Sequence, residues 1–313
     1  MSSISYLFSR LLQIVPTFLL VMIFIFLLVR LLPGDPAIAM ADAKATEAQL
    51  EQIRHNLGLD QPMPIQFAKF VGNVLTGDLG NSILQKAPVL AVIQDRLPVT
   101  LFLAGYSMAL AILFSVPLAF VAALYRDRLP DLLIRSIFQI SLSMPVFYIG
   151  LILLSILAAR LKWLPVGGYG ETWAEHFSHL LLPALTIAFY SSAIILRNLR
   201  TSVIEVLDAE YIQFARAKGL PQRLVLFRHV FRNALISTVT LLGLSIGNLM
   251  SGTLVTETVF AVPGLGRLML DAIFARDYPL IQGLTLTFAV LVSLVFLATD
   301  MFQSWLDPRL RKS

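Results

Sequence analysis

Apolar positions in this chain run together instead of alternating. Stretches free of Asp, Glu, Lys and Arg occupy residues 11–29, 99–125, 136–159, 180–196, 234–255 and 280–298. Each is close to or above the roughly 20 residues that carry a helix across hydrocarbon. Two other regions follow a helical period instead. In the first, 33–98, Thr46-Glu-Ala-Gln49 reads as a capping box, Leu50, Ile53 and Leu57 share a face, and Gly58 sits where a helix stops. Gln61-Pro-Met-Pro64 then breaks the chain before a second short helix. The second region lies between the fourth and fifth apolar runs. A helix opens there at Asp208 or Glu210 with an acidic first turn, which suits the helix dipole. Tyr211, Phe214, Ala215 and Lys218 recur on one face, and Gly219 follows Lys218 as at a helix C-terminus. Pro221 can start another helix, in which Leu224, Phe227 and Phe231 form an apolar face and Arg228 and Arg232 a polar one. The pattern predicts an all-α membrane protein with six transmembrane helices and a small helical cap on the outer side.

Composition supports that reading: of 313 residues, 57% are hydrophobic and 14% charged. A soluble domain needs charge on about a quarter of its residues. The net charge of +5 is explained by loops facing the cytoplasm and its anionic leaflet, so nucleic acid is not an expected partner and membrane lipid is. With the N-terminus inside, the inner segments hold 14 of the 24 Lys and Arg residues, which places both termini inside and the stretch 197–233 in the main cytoplasmic loop. Ala37-Ile-Ala39 offers a small-x-small cleavage site, but the first run is longer than a signal core and ends at Arg30, so an uncleaved anchor is expected. The absence of cysteine excludes disulfides, thiolate metal sites and a cysteine nucleophile.

From spacing alone, the basic helix pair before the fifth span could transmit a push from a soluble partner or rest on lipid head groups. Its residues resemble the EAA loop of ABC importer permeases, in the form found in the dipeptide/oligopeptide/nickel group. Glu210, Tyr211, Ala215, Arg216, Ala217, Lys218, Gly219 and Leu220 match the loop, and His229, Arg232, Asn233, Ala234, Leu235 and Ile236 match its continuation. Ser237 stands where that family usually has proline, and only the last alanine of the E-A-A triplet survives, in Gln213-Phe214-Ala215. LVRLLPGDP (28–36), TGDLGNS (76–82), RLPVTLFLA (96–104, with Phe102 where glutamate is common) and ETVFAVPGLGRLMLDAIFARDYPLIQG (257–283) resemble other parts of such permeases.

The resemblance implies a type I importer permease in a bacterial cytoplasmic (inner) membrane, divided into 1–32 (tail and first span), 33–98 (periplasmic helical segment), 99–304 (five-helix core) and 305–313 (cytoplasmic tail). It implies that residues 210–220 form a coupling helix docking on an ATP-binding subunit. The implied partners are two such subunits, a second homologous permease, and a periplasmic solute-binding protein docking on 33–98 and 257–283. ATP and Mg would sit on the partner subunits, with no cofactor on this chain, because it lacks a G-x-x-x-x-G-K-S/T phosphate loop. Peptides are the expected cargo, with glutathione or chelated nickel as alternatives.

Other constellations admit two readings. Gly243, Gly247 and Ser251 form a small-residue stripe suited to close helix packing or to a translocation path. Glu175, His176 and His179 share a helical face and could hold a metal, although interfacial polar residues beside Trp173 explain them as well, and no metal site is expected. Pro16, Pro117, Pro145 and Pro183 mark possible hinges. Asp300 is the lone carboxylate near a span interior, which leaves an ion-coupled secondary transporter with little to work through.

Overall fold

The computed structural model describes residues 3–31, 46–56 and 60–306. They form α1 (Ser3–Leu31), α2 (Glu47–Asn56), α3 (Met63–Thr76), α4 (Val89–Leu124), α5 (Leu129–Ser143), α6 (Val146–Leu153, continued by a π-helical turn over Leu154–Arg160) and α7 (Trp173–Asp208). After these come α8 (Glu210–Ala217), α9 (Gln222–Leu224, continued by a π-helical turn over Val225–Phe231), α10 (Arg232–Val259), α11 (Leu265–Ala275) and α12 (Tyr278–Leu306). By length and composition α1, α4, α7 and α12 can each cross a membrane, and the bent pair α5–α6, taken as one broken span, makes a fifth. The sixth is α10, uncharged from Ala234 to Thr256 and packed against α7 and α12.

The run 136–159 is not a single rod. Its two arms are bent by 108°, because Met144, preceding a proline, is held extended (φ −98°, ψ 142°) and Pro145 starts the second arm. Pro16, Pro117 and Pro183 stay inside continuous helices. The second and fourth spans are longer than their apolar runs. Both α4 and α7 have 36 residues, and α4 carries Asp95 and Arg96 in its outer end. In α7, which packs against α4, α5, α6 and α10, two-thirds of the span is buried.

Buried carboxylates tie these helices together at both ends. On the inner side Asp131 of α5, with no exposed surface, accepts two hydrogen bonds from Arg200 of α7 at 2.7 and 2.6 Å. Arg135 lies 3.2 Å from the same carboxylate, and the Asp127 N–H donates to it at 3.0 Å. On the outer side Glu257, near the end of α10, accepts from the Gly266 and Arg267 N–H groups (2.7 and 3.0 Å) and from the Thr100 hydroxyl (2.7 Å). Thr100 in turn accepts from the Leu265 N–H at 2.8 Å. The first three N–H groups of α11, which the helix leaves without internal partners, are thus satisfied by side chains from α10 and α4. Asp277 does the same ahead of α12, accepting from the Leu280 N–H (3.2 Å) and also from the Ser82 hydroxyl (2.5 Å) and the Leu84 N–H (2.9 Å).

The outer segment forms the two short helices expected. Gln49 accepts from the Thr46 N–H at 2.8 Å, one half of the capping box, while Leu57 and Gly58 lie outside the described residues. Helix α3 lies on the outer end of α1. There Arg30 donates to Gln66 at 2.6 and 3.0 Å and sits 3.5 Å over the Phe26 ring, which meets Phe67 edge-on.

Removing Arg200 strands a buried carboxylate. Arg200→Ala is expected to cost about 3–5 kcal/mol, read as a large drop in the melting temperature of the solubilised protein. Arg126→Ala, which breaks a solvent-exposed pair with Asp208, should change stability by less than about 1 kcal/mol.

Candidate functional site

The strongest candidate is the elbow between α7 and α10. Helix α7 ends at Asp208, Ala209 turns extended (φ −68°, ψ 141°), and α8 begins at Glu210. Ile212 is fully buried and Ala215 nearly so, in one core with Leu199, Val203, Val225, Val230 and Ala234. Tyr211 is 46% and Phe214 67% exposed, and Arg216, Ala217 and Lys218 are exposed beside them. The predicted face of Tyr211, Phe214, Ala215 and Lys218 is therefore divided. Ala215 turns inward with Ile212, and the others remain outside.

Gly219 adopts φ +79°. A Cβ there would touch nothing within 4 Å, so the requirement is conformational and not steric. The Gly219 N–H donates to the Arg216 carbonyl at 2.9 Å and the Leu220 N–H to the Ala215 carbonyl at 3.3 Å, which closes the end of α8. Pro221 precedes α9, and from Gln222 to Val259 the chain is helical without interruption. The π-helical turn accommodates an extra residue and rotates the register. As a result Val225 and Val230 face the core while Phe227 is 74% exposed, in place of the predicted Leu224, Phe227 and Phe231 face. Phe231 packs 5.6 Å from Phe120, and Arg228 and Arg232 are exposed as expected.

The two halves of the motif meet at Asn233. Its amide donates to the Tyr211 hydroxyl at 3.2 Å and to the His229 carbonyl at 2.7 Å. The free surface combines Tyr211, Phe214 and Phe227 with Arg216, Lys218 and Arg223, an apolar patch edged with cations. Such a face suits an apolar groove with acidic rims.

The other predicted residues separate by role. At Gly243 a Cβ would collide with the Thr299 side chain of α12, so this position serves close packing. The side chains along the rest of the stripe, at Gly247 and Ser251, lie outside the description. Glu175, His176 and His179 do not converge on a common point. Glu175 caps α7 by accepting from the Glu171 and Thr172 N–H groups (2.7 and 3.1 Å), while His176 pairs with the Tyr169 carbonyl (2.9 Å) and stacks on its ring. His179 pairs with the Gly167 carbonyl at 2.6 Å. The segment 257–283 is mostly buried, and only its tip, Ile273 to Arg276, is continuously exposed.

Asp300 is not the only carboxylate inside the membrane helices, since Asp131 and Glu257 are fully buried in them. Sequence reasoning missed both because they stand just beyond the uncharged runs. A signal was present nonetheless: Glu257 lies seven residues before Gly264, whose small size admits its carboxylate.

The family model described as binding-protein-dependent transport system inner membrane component matches residues 115–312, and the model for the N-terminal part of such membrane components matches 3–104. The glutathione transport system permease protein GsiC of Pectobacterium atrosepticum is 42% identical over 308 residues, covering 98% of this chain and 99% of that protein. GsiC of Escherichia coli K12 is 38% identical over the same coverage. Among solved structures, an inward-facing form of the MetNI methionine ABC transporter superposes with a TM-score of 0.58 at 15% identity, covering 69% of this chain and 96% of that one. A second crystal form gives 0.56 at 14% identity, covering 70% and 97%. These two structures share the fold.

Two glycines with open space around them differ only in backbone angle. Gly219→Ala is expected to destabilise the elbow by about 1–2 kcal/mol, seen as faster amide exchange across 210–231. Gly72→Ala, inside α3 and equally unobstructed, should slow local exchange by about 0.5–1 kcal/mol.

Proposed function

Because the chain belongs to the family of binding-protein-dependent transport system inner membrane components, we propose that the elbow at 210–220 is where a separate ATP-binding subunit drives this ABC importer permease. The observation that carries the reading is the division of α8 into a buried side, Ile212 and Ala215, and a free side, Tyr211 and Phe214. A helix seated in this way cannot yield locally when pushed, so force on the free side must displace α7 and α10.

Two copies of the ATP-binding subunit and a second, homologous permease complete the path. ATP and Mg belong to those subunits, and this chain contributes no bond-making chemistry. When the motors close, the elbow moves with α10. The far end of α10 carries Glu257, which holds the N-terminus of α11. Motion at the inner elbow is thereby delivered to the outer turn before the last span. A solute-binding protein would dock on the outer segment 33–98 and on the exposed tip at Ile273–Arg276. The pump acts by changing which conformation is populated, not by tight binding of cargo to this chain.

The cargo we propose is a small peptide. Curated relatives 38–42% identical along nearly their whole length are named for glutathione, itself a tripeptide, so glutathione falls within this class.

In proteoliposomes holding the full complex, peptide or glutathione uptake should require both ATP and the solute-binding protein. Uptake driven by an ion gradient alone would reject the reading. Phe214→Ala combined with Tyr211→Ala should cut uptake at least tenfold while the permease still folds. Unchanged uptake by the double variant would contradict the elbow's role.

A further inference from the structure

Between α5 and α7 lies a cavity of about 940 Å³. Polar side chains form two stripes on its walls: Arg135, Gln139 and Ser143 from α5, and Arg197, Arg200 and Thr201 from α7. The spacings i, i+4, i+8 and i, i+3, i+4 place each set on one helical face. Hydrocarbon offers such groups no partners, so polar stripes on membrane helices face protein or a watered space. Met144 and Ala193 line the same cavity, giving it an apolar part as well.

The three guanidiniums are not equivalent. Arg200 is held by both oxygens of Asp131, and Arg135 lies 3.2 Å from the same carboxylate. With the Asp127 N–H also on that carboxylate, Asp131 has no capacity left for a further cation. Arg197 is exposed; its carbonyl accepts from the Thr201 hydroxyl at 3.0 Å, but its guanidinium makes no hydrogen bond or ion pair among the described residues. Two of the three positive charges share one negative one, and the Arg197 guanidinium borders a cavity large enough for a small solute.

We infer that this cavity is an anion-receiving site on the inner side of the path, where Arg197 takes the carboxylate of a small anionic cargo such as a peptide C-terminus. The inference rests on the permease reading above and deepens it by naming the charge of the cargo and the residue that meets it. A guanidinium matches a carboxylate with two parallel N–H groups. A second source of the same chemistry is a lipid phosphate, which the test separates.

The test uses the assembled importer without ATP in detergent, with glutathione as the probe and calorimetry as the readout. Arg197→Gln should weaken glutathione binding about tenfold, the loss of one charge-assisted contact, and Arg197→Lys should recover part of it. Arg126→Gln should bind as the wild type does, since Arg126 is already paired with Asp208. Glutathione diethyl ester, with both carboxylates masked, should bind wild type and Arg197→Gln alike. Equal glutathione binding by wild type and Arg197→Gln would overturn the inference. So would loss of co-purified phosphatidylglycerol, seen by native mass spectrometry, with glutathione binding unaltered, because the occupant would then be lipid. ATP-dependent uptake by the wild type, measured in parallel, separates the two claims: uptake that persists beside equal binding sinks the cavity assignment and leaves the permease reading standing.

Discussion

Inside a bilayer a polar group has no water to fall back on, so it must be built together with its partner. That constraint organises this molecule. Asp131, Glu257 and Asp277 have no exposed surface, and each gathers its donors from elements far apart in the chain. Asp131 joins α5 to α7, Glu257 joins α10 to α4 and α11, and Asp277 joins the outer segment to the start of α12. The apolar faces between these points are interchangeable with lipid and give little preference for one arrangement over another. The carboxylate clasps supply that preference, and they sit at the helix ends.

The elbow obeys the same logic at the membrane edge. Ile212 and Ala215 seat α8 on the core, Gly219 reverses the chain with no steric demand, and Asn233 bridges to Tyr211 across the bend. What remains outside is aromatic and cationic. Residues of α9, the π-helical turn and α10 form one unbroken helix, so in the proposed reading the surface offered to a motor and the fifth span are parts of one rod. The Glu257 clasp extends that body to the outer side.

Much of this was legible in the chain. The six uncharged runs located the spans, and Lys218-Gly219 followed by Pro221 marked the bend, because apolarity and backbone freedom are local properties. Other features needed three-dimensional contacts. Pro145 sits in an apolar run as Pro117 does, yet one breaks the helix sharply and the other does not, a difference that apolarity along the chain does not carry. The π-helical turn at Val225–Phe231 moved Val225 and Val230 inward against a simple 3.6-residue count. Spacing groups Ala215 with Tyr211, Phe214 and Lys218, yet it turns inward, because small residues carry little directional signal. The clasps link positions 69, 157 and 195 residues apart, a separation at which no local pattern speaks. The cavity stripes escape a reading by uncharged runs because Arg135, Arg197, Arg200 and Thr201 stand just beyond the third and fourth runs, while Gln139 and Ser143 are uncharged within the third.

The central claim is that α8 is a seated helix with one face against the core and the other against a motor subunit. A photo-crosslinking residue placed at position 214 and, separately, at position 212 in the assembled importer tests it directly. Position 214 should capture an ATP-binding subunit, and position 212 should give only links within the permease. Capture of lipid alone from position 214, or of the motor equally from both positions, would contradict it.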